Sequence, residues 1–285
     1  MIIQITRTRN ELFLLKKMLP IWKKYADGFI FLVDNSDQEE SDDTYSFLEQ
    51  NKNKYNILNI LKTDRKEKNL QVESNERQKL FDEAFKYSKK IICLDTDEYL
   101  DGYMTKEKLS DLLDKNKDTL FYLRWIQYTD KYKIRTDGPW KCVWSADRIA
   151  SYENHYEYEN KVMHTTHLPT PPKIIKLEIS DIFVAHLQWL DKKSVALKQY
   201  FWKITDFINK INFNVNTISP KAYDESVNDF NWNYEFFQFP LKVSSNIYSE
   251  DRDITKDYKW KFIKENIKKY NIPNLNDWGM GIHGN

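Results

Sequence analysis

The amino-acid sequence predicts an α/β fold in which a doubly wound, mostly parallel sheet is flanked by helices. Two observations predict it. Over the first hundred residues, short apolar runs alternate with segments that carry apolar residues at helical spacing, a pattern typical of strands joined by crossover helices. Most of the apolar runs also end on acidic residues or arginine. Because open α/β sheets bind ligands at the carboxyl ends of their strands, the sequence indicates a binding site at that edge.

Four buried strands are predicted from apolar runs rich in β-branched and aromatic residues. The first predicted helix covers residues 11–25, where Pro20 either ends or kinks it. A second helix ends near residue 54, and a third is opened by Ser74. The strands cover residues 2–6, 29–33, 57–61 and 91–94.

The pattern is less regular beyond residue 100, where the sequence predicts further elements and two more regions. Residues 1–100 and 101–210 are interpreted as two halves of one domain, and residues 211–285 as a smaller, aromatic-rich helical extension. Residues 132–149 suggest a hairpin or an irregular pair of loops, followed by a polar loop over 151–160. Helices are predicted over 106–115, 192–210 and 256–270, and strands over 119–128, 174–178 and 182–185.

Composition excludes several classes of protein. The chain is 41% apolar and 31% charged, as expected for a globular protein. Its 44 basic and 43 acidic residues leave a net charge of +1, so no overall field attracts nucleic acid or an anionic membrane. No stretch approaches the roughly 18 apolar residues of a transmembrane segment, and the first residues lack the apolar run of a signal peptide. Together with two cysteines outside any metal-binding spacing, these features predict a reduced, cytoplasmic protein.

Aromatic residues are concentrated in the second half of the chain. Eight of the nine tryptophans lie beyond residue 120. Large aromatic side chains usually fill a hydrophobic core, but flat rings also pack against the apolar faces of sugars. The composition is compatible with either role.

The fourth predicted strand runs directly into a cluster of carboxylates, in the segment KIICLDTDEYL. Asp95 and Asp97 are two residues apart, so they share one face if the chain is extended and converge if it turns. Carboxylate oxygens in such an arrangement suit a hard cation such as Mg²⁺ or Mn²⁺. The alternative is an ordinary acidic turn in which Asp95 or Thr96 caps the next element.

The sequence resembles a GT-A-fold glycosyltransferase, close to the family 2 type. The resemblance is carried by the order of polar motifs after the predicted strands and by a later histidine-aromatic segment. These are Arg9-Asn10-Glu11, Asp34-Asn35-Ser36-Asp37, Arg77, the CLDTDEYL segment, and His186-Leu187-Gln188-Trp189 followed by Ser194 and a lysine-bearing helix.

The resemblance implies a nucleotide-diphosphate-sugar donor, UDP- or GDP-linked, whose sugar is transferred to the hydroxyl of an acceptor such as a glycan. It implies that residues 1–100 bind the donor and residues 101–210 the acceptor. It also implies a Mn²⁺ or Mg²⁺ cofactor held by Asp95, Asp97 and His186, with His283 as a rival to His186. The residues implied to line the donor site are Thr6, Arg9, Glu11, Asp34, Arg77 and Asp95, with Lys68 as a further candidate.

An inverting enzyme also needs a carboxylate that deprotonates the acceptor hydroxyl. The Glu-Asp pair that usually provides it in the family is absent, which leaves Glu153, Glu157 and Asp181 as candidate catalytic residues. Glu159, His155 and His164 are further candidates, and each could instead be an ordinary surface residue.

Two other functions compete with the glycosyltransferase. A non-catalytic carbohydrate-binding protein could have the same fold. A nucleotidyltransferase would begin with a glycine-rich loop after the first strand, but the segment TRTRNEL contains no glycine. The His164 and His167 pair lacks a Cys, Asp or Glu partner at zinc-binding spacing, which favours a turn-capping or substrate-facing role.

Overall fold

The structure is a computed structural model that describes residues 1–34, 42–63, 72–137, 144–159, 165–213, 233–245, 247 and 258–270. The chain divides into two compact units, and each is built from two separate segments. Unit 1 contains Met1–Ile126 and Val143–His186, and unit 2 contains Gln127–Cys142 and Leu187–Asn285. The predicted division at residues 100 and 210 into donor-binding, acceptor-binding and extension regions stays a prediction.

Unit 1 is built on a parallel sheet of four strands. In space the strands follow the order β3-β2-β1-β4, and each neighbouring pair runs parallel. The predicted fold class, a mostly parallel sheet flanked by helices, is therefore confirmed. The strands are β1 (Ile3–Thr8), β2 (Gly28–Asp34), β3 (Ile57–Thr63) and β4 (Lys90–Cys93).

Helices connect these strands and cover the sheet. In the helix Val72–Phe85, the apolar side chains Leu80, Phe81 and Ala84 pack on Ile3 and Ile30 of the sheet. Pro20 lies inside α1 rather than at its end, and the helix ends at Trp22, three residues before the predicted boundary. The helices of unit 1 are α1 (Leu12–Trp22), α2 (Thr44–Gln50), α3 (Lys52–Tyr55), α4 (Val72–Phe85) and α5 (Lys106–Lys115).

Antiparallel strands extend the sheet beyond β4. The strand Trp144–Ser151 lies antiparallel between β4 and the strand Thr119–Asp130. The strand Phe183–His186 pairs with both Glu98–Asp101 and Thr119–Asp130. The sequence did not predict the strand Glu98–Asp101. The described residues of the segment 132–149 contribute to two strands, Lys133–Arg135 and Trp144–Ser151. The remaining strands up to residue 186 are β5 (Glu98–Asp101), β6 (Thr119–Asp130), β7 (Lys133–Arg135), β8 (Trp144–Ser151), β9 (Lys173–Lys176) and β10 (Phe183–His186).

Unit 2 combines a small ribbon of strands with two packed helices. Strand β7 pairs antiparallel with β11 (Tyr234–Phe236), which the sequence did not predict. Helix α6 (Lys192–Phe213) packs on α7 (Tyr258–Tyr270) around a core that includes Trp189, Trp260 and Phe262. The predicted aromatic-rich helical C-terminal region is therefore confirmed.

No described helix could span a membrane. Over the described ranges, none of the helices combines the necessary length with sufficient apolar character.

Candidate functional site

The carboxyl ends of β1 and β4 meet at the point where the strand order reverses. The chain proceeds outward from β1 to β2 and β3, and then crosses to β4 on the other side of β1. Open α/β sheets bind ligands in the crevice at such a switch point. Here the Glu11 carboxylate accepts a hydrogen bond from Thr8 Oγ1 at 3.3 Å and another from the Thr96 hydroxyl. Glu11 therefore joins the loop after β1 to the turn after β4.

The loop after β1 is held in a defined conformation. Asn10 has φ of 51°, a left-handed conformation that asparagine tolerates better than most residues. Its Oδ1 accepts from the backbone N–H of Asp42 at 3.1 Å, and Asp42 Oδ2 accepts from the N–H of Leu12 at 2.9 Å. These contacts bring the start of α1 close to the segment that precedes α2.

Asp34 and Arg9, which the sequence assigns to the same site, form an ion pair. Asp34 is the last residue of β2 and is buried, and Arg9 follows β1 in the chain. Arg9 Nη1 lies 3.4 Å from Asp34 Oδ2. Because β1 and β2 are adjacent and parallel, the pair lies at the same edge of the sheet as Glu11.

Asp95 lies in the turn after β4, where it is the more exposed of the two aspartates. The turn is closed by a hydrogen bond from the Glu98 N–H to the Asp95 carbonyl at 3.0 Å. The Asp95 side chain is 39% exposed and its Oδ2 lies 3.2 Å from His167 Nε2, while Arg77 Nη2 is 4.0 Å from Oδ1. Burial opposes ionisation, but His167, Arg77 and Arg148 hold the pKa of Asp95 well below its ordinary value.

Asp97 faces His186 across two paired strands. Strand β5 begins at Glu98, and its register with β10 places His186 directly opposite Glu98. Asp97 Oδ2 and His186 Nε2 are 3.4 Å apart, and both side chains are buried. The separation is longer than a good hydrogen bond between these groups.

Glu98 is the third carboxylate of the segment and is fully buried, with 0% of its surface exposed. Arg148 on β8 donates to both of its oxygens, from Nε and Nη2, at 2.7 Å each. The indole of Trp125 donates to Oε1 at 2.9 Å, and the backbone N–H of Asp95 donates to Oε2 at 3.1 Å. A buried carboxylate needs this degree of compensation, because it would otherwise be protonated or destabilise the fold.

Arg77, predicted to face the diphosphate or the sugar of the donor, is buried in a network of charges below the rim. Its Nη2 lies 3.1 Å from Glu73 Oε1, and its Nη1 is 3.6 Å from the sulfur of Cys93. Arg7 contacts the same Glu73 carboxylate at 3.3 Å and Glu76 at 3.1 Å. Arg77 therefore has internal partners in addition to its contact with Asp95.

His167 is held at the rim by Asp147. The backbone N–H of His167 donates to Asp147 Oδ2 at 2.7 Å, and its ring Nδ1 lies 3.4 Å from Asp147 Oδ1. Burial raises the pKa of Asp147, but hydrogen bonds and charge from His167, together with Arg148, lower it overall. The imidazole thus lies between two carboxylates, those of Asp147 and Asp95.

The other predicted site residues lie in different surroundings. Thr6 is fully buried in β1 and accepts from Gln4 Nε2 at 3.2 Å. Glu153 and Glu157 are exposed in the loop after β8, where the N–H of Glu153 donates to Asp118 at 2.8 Å. Asp181 is exposed and precedes β10, at the opposite end of that strand from His186. The structure therefore does not bring Asp181 to Asp97.

Of the remaining predicted residues, His155 and Glu159 are described by the structure and the others are not. His155, a candidate base, has its Nε2 2.8 Å from Asp82 Oδ1. Glu159 is exposed near the end of the same loop. Lys68, His164 and His283, together with Asn35, Ser36 and Asp37 of the second polar motif, lie outside the described residues.

The side chains of Asp97 and His186 are of the types that bind divalent cations. Within the described part of the chain, no cluster of three or more His, Cys, Asp or Glu residues forms a ready metal site. Asp97 and His186 nevertheless offer one oxygen and one nitrogen ligand 3.4 Å apart. Two ligands that bind one ion at about 2.1 Å are separated by about 3.0 to 3.4 Å, so this pair fits a shared cation. Metal binding by Asp95, Asp97 and His186 stays a prediction.

Sequence reasoning missed the residues that support the site from a distance along the chain. Arg148, Asp147 and Trp125 reach the segment 95–98 only through the fold, and no short motif contains them. His167, which the sequence singled out only for its spacing from His164, also reaches this segment through the fold. One signal was present, because the adjacent charges Asp147 and Arg148 lie between the segment VWSA and the apolar pair IA. Charged residues inside a buried strand need partners, so such a pair marks an internal ion-pair network.

Comparisons with known proteins give weak similarities. A search of protein-family models and a search of curated proteins give no match. Among the solved structures that match, a crystal structure of S. aureus TarS is 14% identical with a TM-score of 0.41, covering 80% of this chain and 42% of that one. A crystal structure of 4-diphosphocytidyl-2C-methyl-D-erythritol synthase is 12% identical with a TM-score of 0.30, covering 53% of this chain and 74% of that one. The chain thus spans less than half the length of the TarS chain.

Proposed function

We propose that the protein is a glycosyltransferase that transfers a sugar from a nucleotide-diphosphate-sugar donor to an acceptor hydroxyl, with Mn²⁺ or Mg²⁺ as cofactor. The observation that carries the proposal is the link between Glu11 and Thr96 at the switch point of the parallel sheet. Through this link, the polar ends of β1 and β2 and the carboxylates after β4 share one edge of unit 1. Ligand binding at this edge is the general rule for open α/β sheets.

In this proposal the ends of β1 and β2 bind the nucleoside. Asp34 accepts hydrogen bonds from the base or the ribose, and Arg9, whose Nη1 lies 3.4 Å from Asp34 Oδ2, holds that carboxylate in place. Through its contacts with Thr8 and Thr96, Glu11 holds in place the part of the site between the nucleoside and the diphosphate. UDP and GDP are the nucleotides that we propose for the donor.

Asp97 and His186 would hold the cation, and the charge of Asp95 would support it. When bound, the cation would neutralise the negative charge that develops on the diphosphate leaving group. Asp95 supports this role because His167, Arg77 and Arg148 keep its pKa low, so it is ionised at neutral pH. Glu98, saturated with hydrogen bonds, is left out of this ligand set. Glu153, Glu157 and Asp181 stay predictions for the general base.

Calorimetry tests the proposal directly. The purified protein is titrated with UDP, GDP and CMP, with and without Mn²⁺, and release of nucleotide from the corresponding sugar donors is measured in parallel. We expect one of the diphosphates to bind and Mn²⁺ to strengthen its binding. Asp97→Asn should weaken the Mn²⁺-dependent binding at least about tenfold, because it removes a charged ligand.

Asp111→Asn is the matched control, since Asp111 is an exposed aspartate on α5 and should bind nucleotide like the wild type. Absence of nucleotide binding under every condition would overturn the proposal. Glycan binding without donor turnover, unchanged in Asp97→Asn, would instead support the non-catalytic carbohydrate-binding protein.

A further inference from the structure

His186 forms a row with two side chains on neighbouring strands, Glu98 on β5 and Trp125 on β6. Strand β10 pairs with β5 on one side and β6 on the other, and Glu98 lies opposite His186 in the β5–β10 register. Trp125 on β6 stacks on the imidazole, with ring centroids 4.5 Å apart and an angle of 24° between the planes. Its indole N–H also donates to Glu98 Oε1 at 2.9 Å. The indole of Trp125 therefore contacts both His186 and Glu98.

The side chain of Glu98 is fixed in position by hydrogen bonds. Each of its oxygens accepts two of the four hydrogen bonds from Arg148, Trp125 and the Asp95 backbone. Arg148 contributes two charge-assisted bonds of 2.7 Å, which fix the plane of the carboxylate. The Trp22 indole donates to the Glu98 carbonyl at 2.8 Å, so the backbone is held as well.

We propose that Trp125 and Glu98 are positioning residues that orient the imidazole of His186 so that its Nε2 faces Asp97. The 3.4 Å separation of His186 Nε2 and Asp97 Oδ2 is too long to fix the ring by itself, whereas the stacked indole restricts the ring plane. Glu98 in turn fixes the indole through its N–H. The purpose of this orientation, presentation of His186 to a divalent cation, rests on the proposed function.

The orientation itself is tested in the metal-free protein. Protons held over an indole face are shifted upfield, so the His186 ring protons should resonate upfield of those of an ordinary histidine. NMR spectra of histidine-labelled protein, assigned with His186→Asn, report this shift. We expect Trp125→Leu to abolish it, Trp125→Phe to retain part of it, and Glu98→Gln to reduce it by loosening the indole.

Tyr152→Phe is the matched control, because it also removes a buried hydrogen bond, from Tyr152 Oη to the Pro169 carbonyl at 2.8 Å, without touching the row. Its His186 signals should match those of the wild type. Unchanged His186 signals in Trp125→Leu would overturn the positioning role, whether or not the protein binds metal. Trp125 is only half-buried, so this variant should fold even if Glu98→Gln does not.

A second measurement decides whether the orientation serves cation binding. Groups that orient a metal ligand typically contribute 10- to 100-fold to metal affinity. We therefore expect Mn²⁺ to bind at least about tenfold more weakly to Trp125→Leu than to Tyr152→Phe, as measured by electron paramagnetic resonance. Equal Mn²⁺ affinities would overturn the metal-presenting role. If the wild type bound no Mn²⁺ with or without nucleotide, the metal in the proposed function would fail, while the NMR result would still decide the positioning role.

Discussion

Glu73 illustrates, at the scale of one residue, how the charges below the rim depend on each other. It lies in the first turn of α4 and contacts both Arg7 and Arg77. Burial opposes its ionisation, but the two arginines outweigh this and lower its pKa from 4.5 to about 2. The helix N-terminus also favours a negative charge at this position.

This lowered pKa makes folding stability depend on pH. The contribution of Glu73 to stability is fully present above pH 4.5 and is lost as the pH falls toward about 2. At that pH the Glu73 carboxylate takes up a proton in the folded protein and no longer carries the charge that the two arginines favour. A shift of this size corresponds to about 3 kcal/mol. We expect Glu73→Gln to flatten the fall in the free energy of unfolding over this pH window, as measured by urea denaturation.

Glu107→Gln is the matched control, because Glu107 occupies the first turn of α5 but has no arginine among the groups that lower its pKa. Its pH dependence should stay close to that of the wild type. A Glu73→Gln protein with the full wild-type dependence would contradict the assigned role of Arg7 and Arg77.

At the scale of elements, the short strand β5 depends on one glycine that follows it. Gly102 has φ of 131°, a conformation that side-chain-bearing residues rarely adopt. A Cβ atom at this position would lie 2.4 Å from the carbonyl oxygen of Asp181 and 2.9 Å from Cα of Ile182. Both obstacles are backbone atoms of the segment that leads into β10, so they cannot move aside easily.

Gly102→Ala should therefore destabilise the protein by about 3 kcal/mol, combining backbone strain with the clash. Urea denaturation measures the effect. For comparison, Gly28→Ala places a Cβ 3.0 Å from Leu58 Cδ1, the flexible end of a side chain, and should cost about 1 kcal/mol. Equal losses of stability in the two variants would contradict this explanation.

The elements also show why parts of the fold could be predicted and others could not. Strands β1, β2 and β4 are buried along almost their whole length and β3 is buried in part, so their apolar runs identify them in the sequence. Strand β5, with the sequence EYLD, was missed because two of its four residues are carboxylates. Glu98 is buried in it only because Arg148, 50 residues away, compensates its charge. A local pattern cannot contain such a partner.

The same reasoning applies to the candidate site. Asp95 and Asp97 were predicted because they directly follow a recognisable strand, whereas Glu11 was suggested by the resemblance. His186 was suggested by the resemblance, and the structure pairs it with Asp97 at 3.4 Å. His167 was noted only for its spacing from His164. Its contacts with Asp95 and Asp147 join residues that are distant in the sequence, so no local pattern shows them.

At the scale of the whole molecule, each unit is formed by two separate segments of the chain. Residues 127–142 of unit 2, which include the last four residues of β6, interrupt unit 1, yet the register of β6 and β8 places Arg124 opposite Trp144. Paired residues on antiparallel strands are only about 5 Å apart, so a short turn could close this gap. The hydrophobic cluster that includes Ile3, Phe81 and Leu120 belongs entirely to unit 1.

We therefore expect residues 1–186 to fold alone if residues 127–142 are replaced by a short glycine-rich turn. Such a protein should unfold cooperatively in urea and keep the nucleotide affinity of the full chain, because the donor-binding and cation-binding residues proposed above all lie in unit 1. The matched control keeps residues 127–142, which then expose apolar side chains such as Ile134, and should aggregate. A disordered first protein would contradict the autonomy of unit 1.

The Cys93 thiol gives unit 1 a built-in chemical reporter. It ends β4 beneath the DTDE segment, and burial raises its pKa to about 12 despite the nearby Arg77 guanidinium. Only thiolates react rapidly with alkylating reagents, so Cys93 in the folded protein should be protected. In a Cys142→Ser background, the rate of alkylation then reports how often the strand beneath the site opens to solvent. Ligands that bind at the rim should slow this reaction in proportion to their affinity.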